Sequence, residues 1–517
     1  SKDRPVKLFG HLETTTGAAQ IRSLVSGIPS LNGAGVGIAI LDSGIDESHH
    51  ELNYGGNDRV IADVDGGGFG NTSDYMGHGT HVASVACGTN HIGPGAYTGI
   101  APGANIINVK VLDHEGAGYA SQIINAIGWC VNNRNVYNIK VINLSLGAPA
   151  VDSYRNDPLC QAVRAAHDAG IVVVVAAGND GKDANGNKLY GTIESPGIEP
   201  SAITVGASNT FGTDSRADDA VTTYSSRGPT RGYYQDPVSG QKVYDNLIKP
   251  DLLAPGNKII AAEANEADLV ELYPQLDASQ YETNPHHFLM CLSGTSVSAP
   301  VVSGASALLL QENPALTPNQ VKAILTYTAQ PLPGFNTLEQ GAGQVNIDGA
   351  VRVARLVKNL GSWATNGQSM LNGPLPSQQS SIAGFTFQWG QGVITNWTFL
   401  YGSQLMTNWQ GMYAQGTLLS SGTLFSSGIV IKNPLTTTSG VQLSSGVMLS
   451  DGTLLSNGTL LSNGTLLADG TLLADGIALA DGVLVSDGTL LADGMLLSDT
   501  CQGDPGGMSP QPDHSNY

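Results

Sequence analysis

Charged side chains are scarce in this sequence, and positive charge is the scarcer of the two signs. Only 13% of the 517 residues are charged, against about a quarter in an average soluble protein. Acidic residues number 43 and basic residues 23, which leaves a net charge of −20. Because an acidic surface repels phosphate groups, we expect neither nucleic acid nor an anionic membrane as a partner.

Long hydrophobic runs are missing as well. The longest, from Ile171 to Ala177, has the length of a buried strand, whereas a membrane-spanning helix needs about 20 apolar residues. The chain opens with Ser1-Lys2-Asp3-Arg4 and shows no basic-then-apolar signal segment there. We therefore expect no membrane span, and we interpret the chain as a processed or shortened form of a longer protein.

The five cysteines are odd in number, so they cannot all pair within one chain. None of them has the spacing of metal ligands. Cys130 and Cys160 lie near the ends of two predicted helices that flank one strand. For this pair, a disulfide and two free thiols are equally good alternatives.

Between residues of about 20 and 355 the sequence alternates strands and helices. Apolar strands are predicted at 36–41, 106–112, 141–146 and 171–177, with helices that begin at 78, 120 and 158 between them. Continuous apolar runs between helices predict a parallel sheet that is covered on both faces, which makes this an α/β fold. Ligands of such folds bind at the C-terminal ends of the strands.

A length of 517 residues exceeds one ordinary core, and the composition divides the chain further. We predict an N-terminal segment (1–19), an α/β domain (20–355), a linker rich in Ser, Gln, Asn, Gly and Pro (356–412), a repeat region (413–500) and a disordered tail (501–517).

In the repeat region a glycine recurs every six residues from Gly452 to Gly494, within a unit similar to Asp-Gly-Thr-Leu-Leu-Ala. The period fits a β-solenoid whose stacked coils bury the leucines. The Asp-Gly and Asn-Gly pairs also fit a stacked meander with tight turns. Such a β-rich region can be a passive stalk, or it can serve surface attachment, substrate adhesion or self-association.

Three short segments place polar residues at the ends of predicted elements. Ile-Leu-Asp42-Ser-Gly ends a strand, Gly-His78-Gly-Thr-His begins a helix, and Gly-Thr-Ser296-Val-Ser joins a loop to a helix. Serine needs an adjacent base to act as a nucleophile, histidine has the pKa for that task, and a buried carboxylate fixes the tautomer of the imidazole. The pattern predicts a catalytic triad.

Along the chain the triad has the order Asp, His, Ser, which is the order in subtilisin and not in chymotrypsin or the α/β-hydrolases. The three segments resemble the Asp, His and Ser boxes of the subtilase family. Four further segments are similar to family signatures, namely the oxyanion-hole loop at 176–181, the cleft strand at 143–147 and two later motifs at 224–229 and 249–256. The resemblance covers residues from about 20 to 355. Val297 and Ser298 depart from the Met and Ala that are common in relatives, but neither change removes a reacting group.

This resemblance implies a subtilisin-like three-layer α/β/α fold and the activity of a serine endopeptidase. Asp42 would orient the imidazole, His78 would act as general base and then as general acid, and Ser296 would attack the scissile carbonyl. Asn179 would donate its side-chain amide to the oxyanion, beside the backbone N–H of Ser296 and the positive end of the helix dipole. No cofactor is implied for this chemistry.

Relatives bind an extended peptide by strand addition, which implies an S1 pocket between two walls. One wall would be Ser145, Leu146 and Gly147, and the other Ala176, Ala177 and Gly178. Glu194 precedes Ser195-Pro196-Gly197, a segment that resembles the one closing the base of S1, where relatives often have glycine. A carboxylate at that base would favour Lys or Arg at P1. A Glu194 turned to solvent would leave P1 unaffected, and both interpretations stay open.

Many members of the family bind calcium, so a structural calcium ion is a candidate ligand. Asp63, Asp65 and Asp74 offer the hard oxygen ligands that calcium prefers. We predict that His81 is a structural residue of its helix. The pairs His49-His50 and His286-His287 are predicted to be exposed loop residues rather than metal ligands.

The resemblance also implies partners and location. Substrates would be proteins or peptides, the enzyme would be secreted, and an N-terminal pro-region would be cleaved during maturation. Asp3-Arg4-Pro5-Val6 resembles the last strand of such a pro-region. The alternatives are a non-catalytic surface-display or adhesion protein that acts through its repeats, and an esterase. The complete triad with Asn179 favours the endopeptidase over the first, and cleft strands suited to extended peptide favour it over the second.

Overall fold

The computed structural model describes residues 12–23, 31–54, 57–89, 91–92, 97–238, 240–279, 282–361, 364–365, 367–396 and 399–417, together with the backbone of strands between 424 and 503. The segment Asp3-Arg4-Pro5-Val6 and most of the predicted tail lie outside the described residues.

The helices and the strands before the repeats alternate as expected over the α/β domain. The helices are α1 (Leu12–Thr16), α2 (Ala18–Ser23), α3 (His78–Cys87), α4 (Ala120–Asn133), α5 (Pro158–Asp168), α6 (Asp268–Leu272), α7 (Thr295–Glu312), α8 (Pro318–Thr328), α9 (Thr337–Gln340), α10 (Ile347–Ala354) and α11 (Gln404–Thr407). The strands are β1 (Gly37–Asp42), β2 (Asn53–Tyr54), β3 (Asn57–Asp58), β4 (Val60–Asp65), β5 (Asn105–Lys110), β6 (Ile139–Leu144), β7 (Val172–Ala176), β8 (Ile203–Asn209), β9 (Ala220–Val221), β10 (Tyr233–Gln235), β11 (Lys242–Tyr244), β12 (Leu252–Pro255), β13 (Ile259–Ala262), β14 (Leu289–Leu292), β15 (Gln379–Ile382), β16 (Phe385–Gln388), β17 (Gly392–Ile394) and β18 (Phe399–Tyr401).

The central sheet has the strand order β12-β8-β7-β6-β1-β5-β4, and every neighbouring pair on this path is parallel. Strand β9 adds to β8 in the antiparallel sense. All residues of β1 and β7 are buried, because a parallel sheet of this kind is covered on both faces. These features confirm the predicted α/β fold with a mostly parallel sheet.

Successive residues of β1 point into two different hydrophobic cores. Ile38 and Ile40 pack in the larger core, to which α3, α7, α8 and α10 contribute. Ala39 and Leu41 pack in a second core with residues of α4 and α5. This alternation, which follows from the pleat of a strand, gives three layers of helix, sheet and helix. The C-terminal ends of β1 and β6 then lie next to one another at one edge of the sheet.

A cluster of buried charges connects the segment before β12 to α8. The carboxylate of Asp251 lies 2.7 Å from Nζ of Lys249 and 2.7 Å from Nζ of Lys322. Lys249 also donates to Oγ1 of Thr204 (2.8 Å), and Lys322 donates to the carbonyl of Pro200 (2.9 Å). Because buried charges are costly unless they are paired, the two lysines and the aspartate depend on one another.

The segment 356–412, for which we expected a linker, is packed against the α/β domain. It forms two antiparallel hairpins, β15–β16 and β17–β18. Trp389 is buried, donates from Nε1 to Ser380 Oγ (3.0 Å) and stands edge-on to Tyr327 of α8. Further side chains of this segment join the larger core, namely Ile382, Phe387, Val393, Leu400, Met406, Trp409 and Met412. Aromatic residues bury large areas, so this polar-looking stretch extends the core.

Cys130 and Cys160 are free thiols. Cys130 packs in the core beneath the sheet, and Cys160 Sγ lies 3.9 Å from Ser195 Oγ. Burial raises the pKa of Cys130 to about 12, so this thiol is protonated and unreactive at neutral pH.

The C-terminal strands are β19 (Leu424–Ser426), β20 (Leu435–Ser444), β21 (Met448–Ser462), β22 (Leu466–Ala474), β23 (Ile477–Ser486), β24 (Leu490–Ala492) and β25 (Met495–Gly503). They pair in the parallel sense with an offset of eighteen positions, which becomes seventeen where residues 483–486 of β23 pair with β25. Leu435 stands opposite Thr453, eighteen positions further along, and Ile477 stands opposite Met495, again eighteen positions on.

None of the helices within the described residues combines the length and the apolar character that crossing a bilayer requires.

Candidate active site

His78 stands between Asp42 and Ser296. Its Nδ1 lies 2.7 Å from Oδ1 of Asp42, and its Nε2 lies 3.0 Å from Oγ of Ser296. A proton on Nδ1 is held by the carboxylate, which leaves the lone pair of Nε2 facing the serine hydroxyl. The structure therefore brings the three predicted triad residues together in the order in which a proton relay uses them.

Each member of this cluster sits at the end of a regular element. Asp42 is the last residue of β1, is 1% exposed, and accepts a hydrogen bond from the N–H of Ser43 (2.8 Å). His78 is the first residue of α3, and Ser296 is in the first turn of α7. The turn before His78 requires Gly77, which has φ +94° and whose added β-carbon would lie 2.7 Å from Cβ of Ala267.

The environment of His78 favours its protonated form. Burial by itself lowers the pKa of His78, but the charge of Asp42, its hydrogen bond and the charge of Asp74 outweigh burial, so that the pKa lies above its ordinary value. A general base in this position is well suited to hold the proton that it takes from the serine hydroxyl.

Asn179 lies beside Ser296 with its amide oriented by Thr295. Its Oδ1 accepts from the backbone N–H of Thr295 (2.9 Å) and from the hydroxyl of the same residue (3.3 Å). Nδ2 is then left as the donor toward the space next to Gly294, where an added β-carbon would lie 3.6 Å from Nδ2 and 3.0 Å from Oγ of Ser296. Backbone N–H groups in the first turn of a helix have no partner within the helix, so α7 adds main-chain donors at the same place.

A family model described as the subtilase family, peptidase S8, matches residues 33–350. The chain belongs to the subtilase family. Among its relatives, serine protease AprX of Bacillus subtilis is 38% identical over 359 residues, which is 68% of this chain and 73% of AprX. Subtilisin E of the same species is 33% identical over 340 residues, covering 65% of this chain and 71% of the relative. A crystal structure of a cold adapted subtilisin-like serine proteinase matches 64% of this chain and 95% of its own, with 26% identity and a TM-score of 0.43.

This subtilase is accordingly a subtilisin-like serine endopeptidase, and members of the family need no cofactor for catalysis. The two predicted S1 walls of the subtilase are joined by the segment at 194–195. The N–H of Glu194 donates to the carbonyl of Ala177 (3.2 Å), while Ser195 and Ala148 exchange two backbone hydrogen bonds of 2.9 and 2.8 Å. Residues 194 and 195 thus bridge the cleft strand and the oxyanion-hole loop.

The side chain of Glu194 is directed between the two walls. A β-carbon added to Gly178 would lie 2.9 Å from Cδ of Glu194, and one added to Gly147 would overlap its Oε2. The residue is half-buried, and burial together with the charge of Asp180 raises the pKa of Glu194 above its ordinary value. The carboxyl group occupies the space that side chains at these glycines would fill.

Asp74, a calcium candidate in the sequence, caps the N-terminus of α3, the helix that begins at His78. Its Oδ1 accepts from Ser43 Oγ and from the N–H of Gly77, both at 2.8 Å. Its Oδ2 accepts from the N–H (2.8 Å) and the hydroxyl (2.7 Å) of Thr80. Burial raises the pKa of Asp74 and these hydrogen bonds oppose that rise. Four protein donors occupy the oxygens that calcium would need.

The other two calcium candidates are engaged elsewhere. Asp63 Oδ1 accepts from Asn108 Nδ2 (2.8 Å), and Asp65 accepts from the N–H groups of its own turn. Burial and a hydrogen bond to Asp63, with the surrounding acidic charge, raise the pKa of Glu47 to about 8. Asp63, Asp65 and Asp74 do not fit one calcium site, and no group of three or more potential metal ligands is arranged for a metal within the described part of the chain.

The two histidine pairs meet, although they are 237 positions apart. His50 Nδ1 lies 2.7 Å from His287 Nε2, and the ring of His50 stacks on that of His286 at 5.3 Å. His49 is buried with Nε2 2.8 Å from the carbonyl of Phe288. These residues are buried or half-buried rather than exposed, because the loop after Asp42 packs against the segment that precedes β14.

His81 is a structural residue, as predicted. Its Nε2 lies 3.1 Å from the carbonyl of Ile259, which joins α3 to β13. Burial lowers the pKa of His81 to about 3, so the ring is neutral at neutral pH.

Proposed function

We propose that this subtilase hydrolyses peptide bonds of proteins through an acyl-enzyme intermediate, with Asp42, His78 and Ser296 as its catalytic triad. The proposal is carried by one observation: a single imidazole lies 2.7 Å from a buried carboxylate oxygen and 3.0 Å from a serine hydroxyl. Both distances are within the reach that proton transfer requires.

In the first half of the reaction, Oγ of Ser296 attacks the scissile carbonyl carbon while Nε2 of His78 accepts the hydroxyl proton. The imidazolium is stabilised by Asp42, which keeps its negative charge. Collapse of the tetrahedral intermediate breaks the C–N bond, and His78 returns the proton to the leaving amine. In the second half, water attacks the ester, with His78 again as base, and releases the acid product and the free serine.

Asn179 is proposed to stabilise the negative oxygen of the tetrahedral intermediates. The support is its anchored amide, since the oxygen is held by Thr295 and the nitrogen remains as a donor near Ser296. A donor that is already in position stabilises the transition state more than the planar carbonyl of the substrate.

We also infer a preference for Lys or Arg at P1. The support is the carboxyl group of Glu194, which lies against Gly147 and Gly178 rather than turning outward. Asp180, whose charge acts on Glu194, adds a second acidic group near the same pocket.

Labelling with a fluorophosphonate tests the triad. We expect stoichiometric modification of Ser296, located by mass spectrometry of the peptide that contains it, and none in Ser296→Ala. The control is Ser306→Ala, which alters another serine of the same helix whose hydroxyl donates to the carbonyl of Val302, and it should be labelled at Ser296 like the wild type. A folded wild-type chain that is not labelled would instead favour a surface-display or adhesion protein.

For the repeats we infer a β-solenoid in which one coil comprises three six-residue units. The support is the offset of eighteen positions that recurs between paired strands, apart from the last four pairs of β23 with β25. We propose that the repeats attach the secreted enzyme to a surface or to a large substrate, after removal of its pro-region. A chain that ends at residue 417 should then keep its activity on short peptides and lose its retention on insoluble protein. If the truncated chain keeps both its activity and its retention, the repeats are a passive stalk.

A further inference from the structure

A line of buried hydrogen bonds joins the interior of α7 to the main chain of the nucleophile. Oγ of Ser303 donates to Oδ1 of Asn143 (2.8 Å), and Nδ2 of Asn143 donates to Oγ of Ser145 (2.9 Å). Ser145 Oγ then donates to the carbonyl oxygen of Ser296 (2.6 Å). The three side chains are 0%, 0% and 5% exposed. Each hydroxyl and amide therefore depends on the next for its partner.

The surroundings of this line are apolar. Its neighbours along α7 and β6, namely Val297, Val301, Val302 and Val141, belong to the larger hydrophobic core. A polar group in such surroundings is costly unless it is hydrogen-bonded, whereas a network with every member paired holds its residues rigidly. The line therefore resists displacement of any one of its members.

The two ends of the line are parts of the site that have to keep a fixed spacing. Ser303 follows Ser296 by seven residues, so both lie on the same face of α7, two turns apart. Asn143 lies in β6, and Ser145 follows that strand as the first residue of the predicted S1 wall. The line fixes the backbone of the nucleophile to the strand along which the substrate would lie.

We propose that Ser303, Asn143 and Ser145 are positioning residues that set the distance between the nucleophile and the cleft strand. The inference rests on the proposed catalytic role of Ser296. The main chain of Ser296 carries both the attacking hydroxyl and a backbone donor of the oxyanion hole. A displacement of its carbonyl consequently moves both groups away from a peptide held on residues 145–147. Misplacement of about 1 Å can reduce the rate of a reaction about 10²-fold.

Single and double alanine variants test this proposal. Ser303→Ala and Ser145→Ala each interrupt the line at a different bond. We expect each to lower kcat on a short peptide by about 3- to 10-fold, the scale of one hydrogen bond, with KM within about twofold of the wild type. The double variant should lose no more than the worse single variant, because both substitutions break the same connection.

Ser306→Ala is the matched control. Ser306 is as buried as Ser303 in the same helix, but its hydroxyl donates to the carbonyl of Val302 in its own helix (2.8 Å). It should keep the wild-type kcat, even if its thermal midpoint falls as far as that of Ser303→Ala. The rate of fluorophosphonate labelling, which needs no P1 binding, should fall in Ser303→Ala and not in Ser306→Ala.

The proposal is overturned if Ser303→Ala retains the kcat and labelling rate of Ser306→Ala, or if the losses in the double variant multiply as independent effects. Either result would leave the line a structural element only. Failure of the triad assignment looks different, because the wild-type enzyme itself would then resist labelling, or Ser296→Ala would remain active.

Discussion

Glu194 and Gly178 are in close contact, and the second of these residues directly precedes Asn179. A side chain at position 178 would meet Cδ of Glu194 at 2.9 Å. The acidic group of the proposed S1 pocket and the donor of the proposed oxyanion hole are thus neighbours across one glycine. Specificity and catalysis are consequently both sensitive to the loop at 176–181.

Glu194→Gln is expected to remove the preference for basic residues at P1. The substitution keeps the shape of the side chain and deletes its charge. On peptides that differ only at P1, kcat/KM for Lys relative to Phe should fall by about 10-fold or more, the scale of a hydrogen bond to a charged group. Asp183→Asn, which changes a half-buried carboxylate hydrogen-bonded within its own nearby loop, should leave the ratio unchanged. Equal ratios in the wild type and in Glu194→Gln would contradict the assignment.

The same preference should depend on pH. Burial and Asp180 raise the pKa of Glu194, so its charge is lost at a higher pH than for an exposed glutamate. The ratio of kcat/KM for Lys to that for Phe should therefore be highest at neutral pH and decline on acidification, before an ordinary carboxylate would titrate. Since His78 affects both substrates equally, its titration cancels in the ratio. A ratio that is constant with pH would show that Glu194 does not act on P1.

Asn179→Ala is expected to lower kcat and to leave KM nearly unchanged. Removal of one such donor in subtilisin reduces kcat by about 10²–10³, and we expect a loss of the same order here. Asn185→Ala, at an exposed position in the following loop, is the control. A comparable rise in KM with no fall in kcat would mean that Asn179 binds the ground state of the substrate.

Acid should destabilise the enzyme through its buried histidines. Burial lowers the pKa of His49 to about 4, whereas an unfolded histidine has a pKa of about 6.5. The unfolded chain therefore binds more protons between these values, and the free energy of unfolding falls as pH drops from about 6.5 toward 4. Denaturant titrations should show a shallower pH dependence in His49→Gln than in the wild type. His114→Gln, which changes an exposed histidine, should retain the wild-type slope, and identical slopes in all three proteins would refute this account.

Asp251→Asn is expected to destabilise the fold by about 3–5 kcal/mol, the cost of leaving a buried charge without its partner. Both Lys249 and Lys322 lose their counter-ion in this variant. The measurement is the free energy of unfolding in urea. Asp168→Asn, at an exposed helix end, should change it by less than about 0.5 kcal/mol. A similar small change in Asp251→Asn would mean that the cluster is not charged in the native state.

Residues with a local signature could be predicted from the sequence. The triad has short motifs in a known order, and the parallel sheet has apolar runs such as that of β7. The packing of 356–412 could not be predicted, because its tryptophans are separated by polar residues in the sequence. Tyr327, against which Trp389 packs, lies in α8, well before this segment in the chain. A regular spacing of aromatic residues would have been a signal, and this segment has none.

Long-range polar contacts could not be predicted from the sequence either. The meeting of His50 with His287 links positions 237 residues apart, and no periodicity connects them. The hydroxyl of Ser303 gave no signal either, since serine in the middle of an apolar helix is usually paired with its own backbone. Asp74 is a calcium candidate in the sequence because its carboxylate offers hard oxygen ligands, yet the same carboxylate suits the N-terminus of the helix that follows.

The hairpins at 379–401 and the buried ring of Tyr413 determine where this protease can be truncated or fused to another protein. A truncated chain that ended at residue 355, at the end of the recognisable family motif, would expose Tyr327 and leave an apolar surface on α8. Anyone grafting the enzyme onto another carrier therefore has to take the chain through to about residue 417. The join belongs after residue 417, because buried Asn319 of α8 still donates to the carbonyl of Thr417.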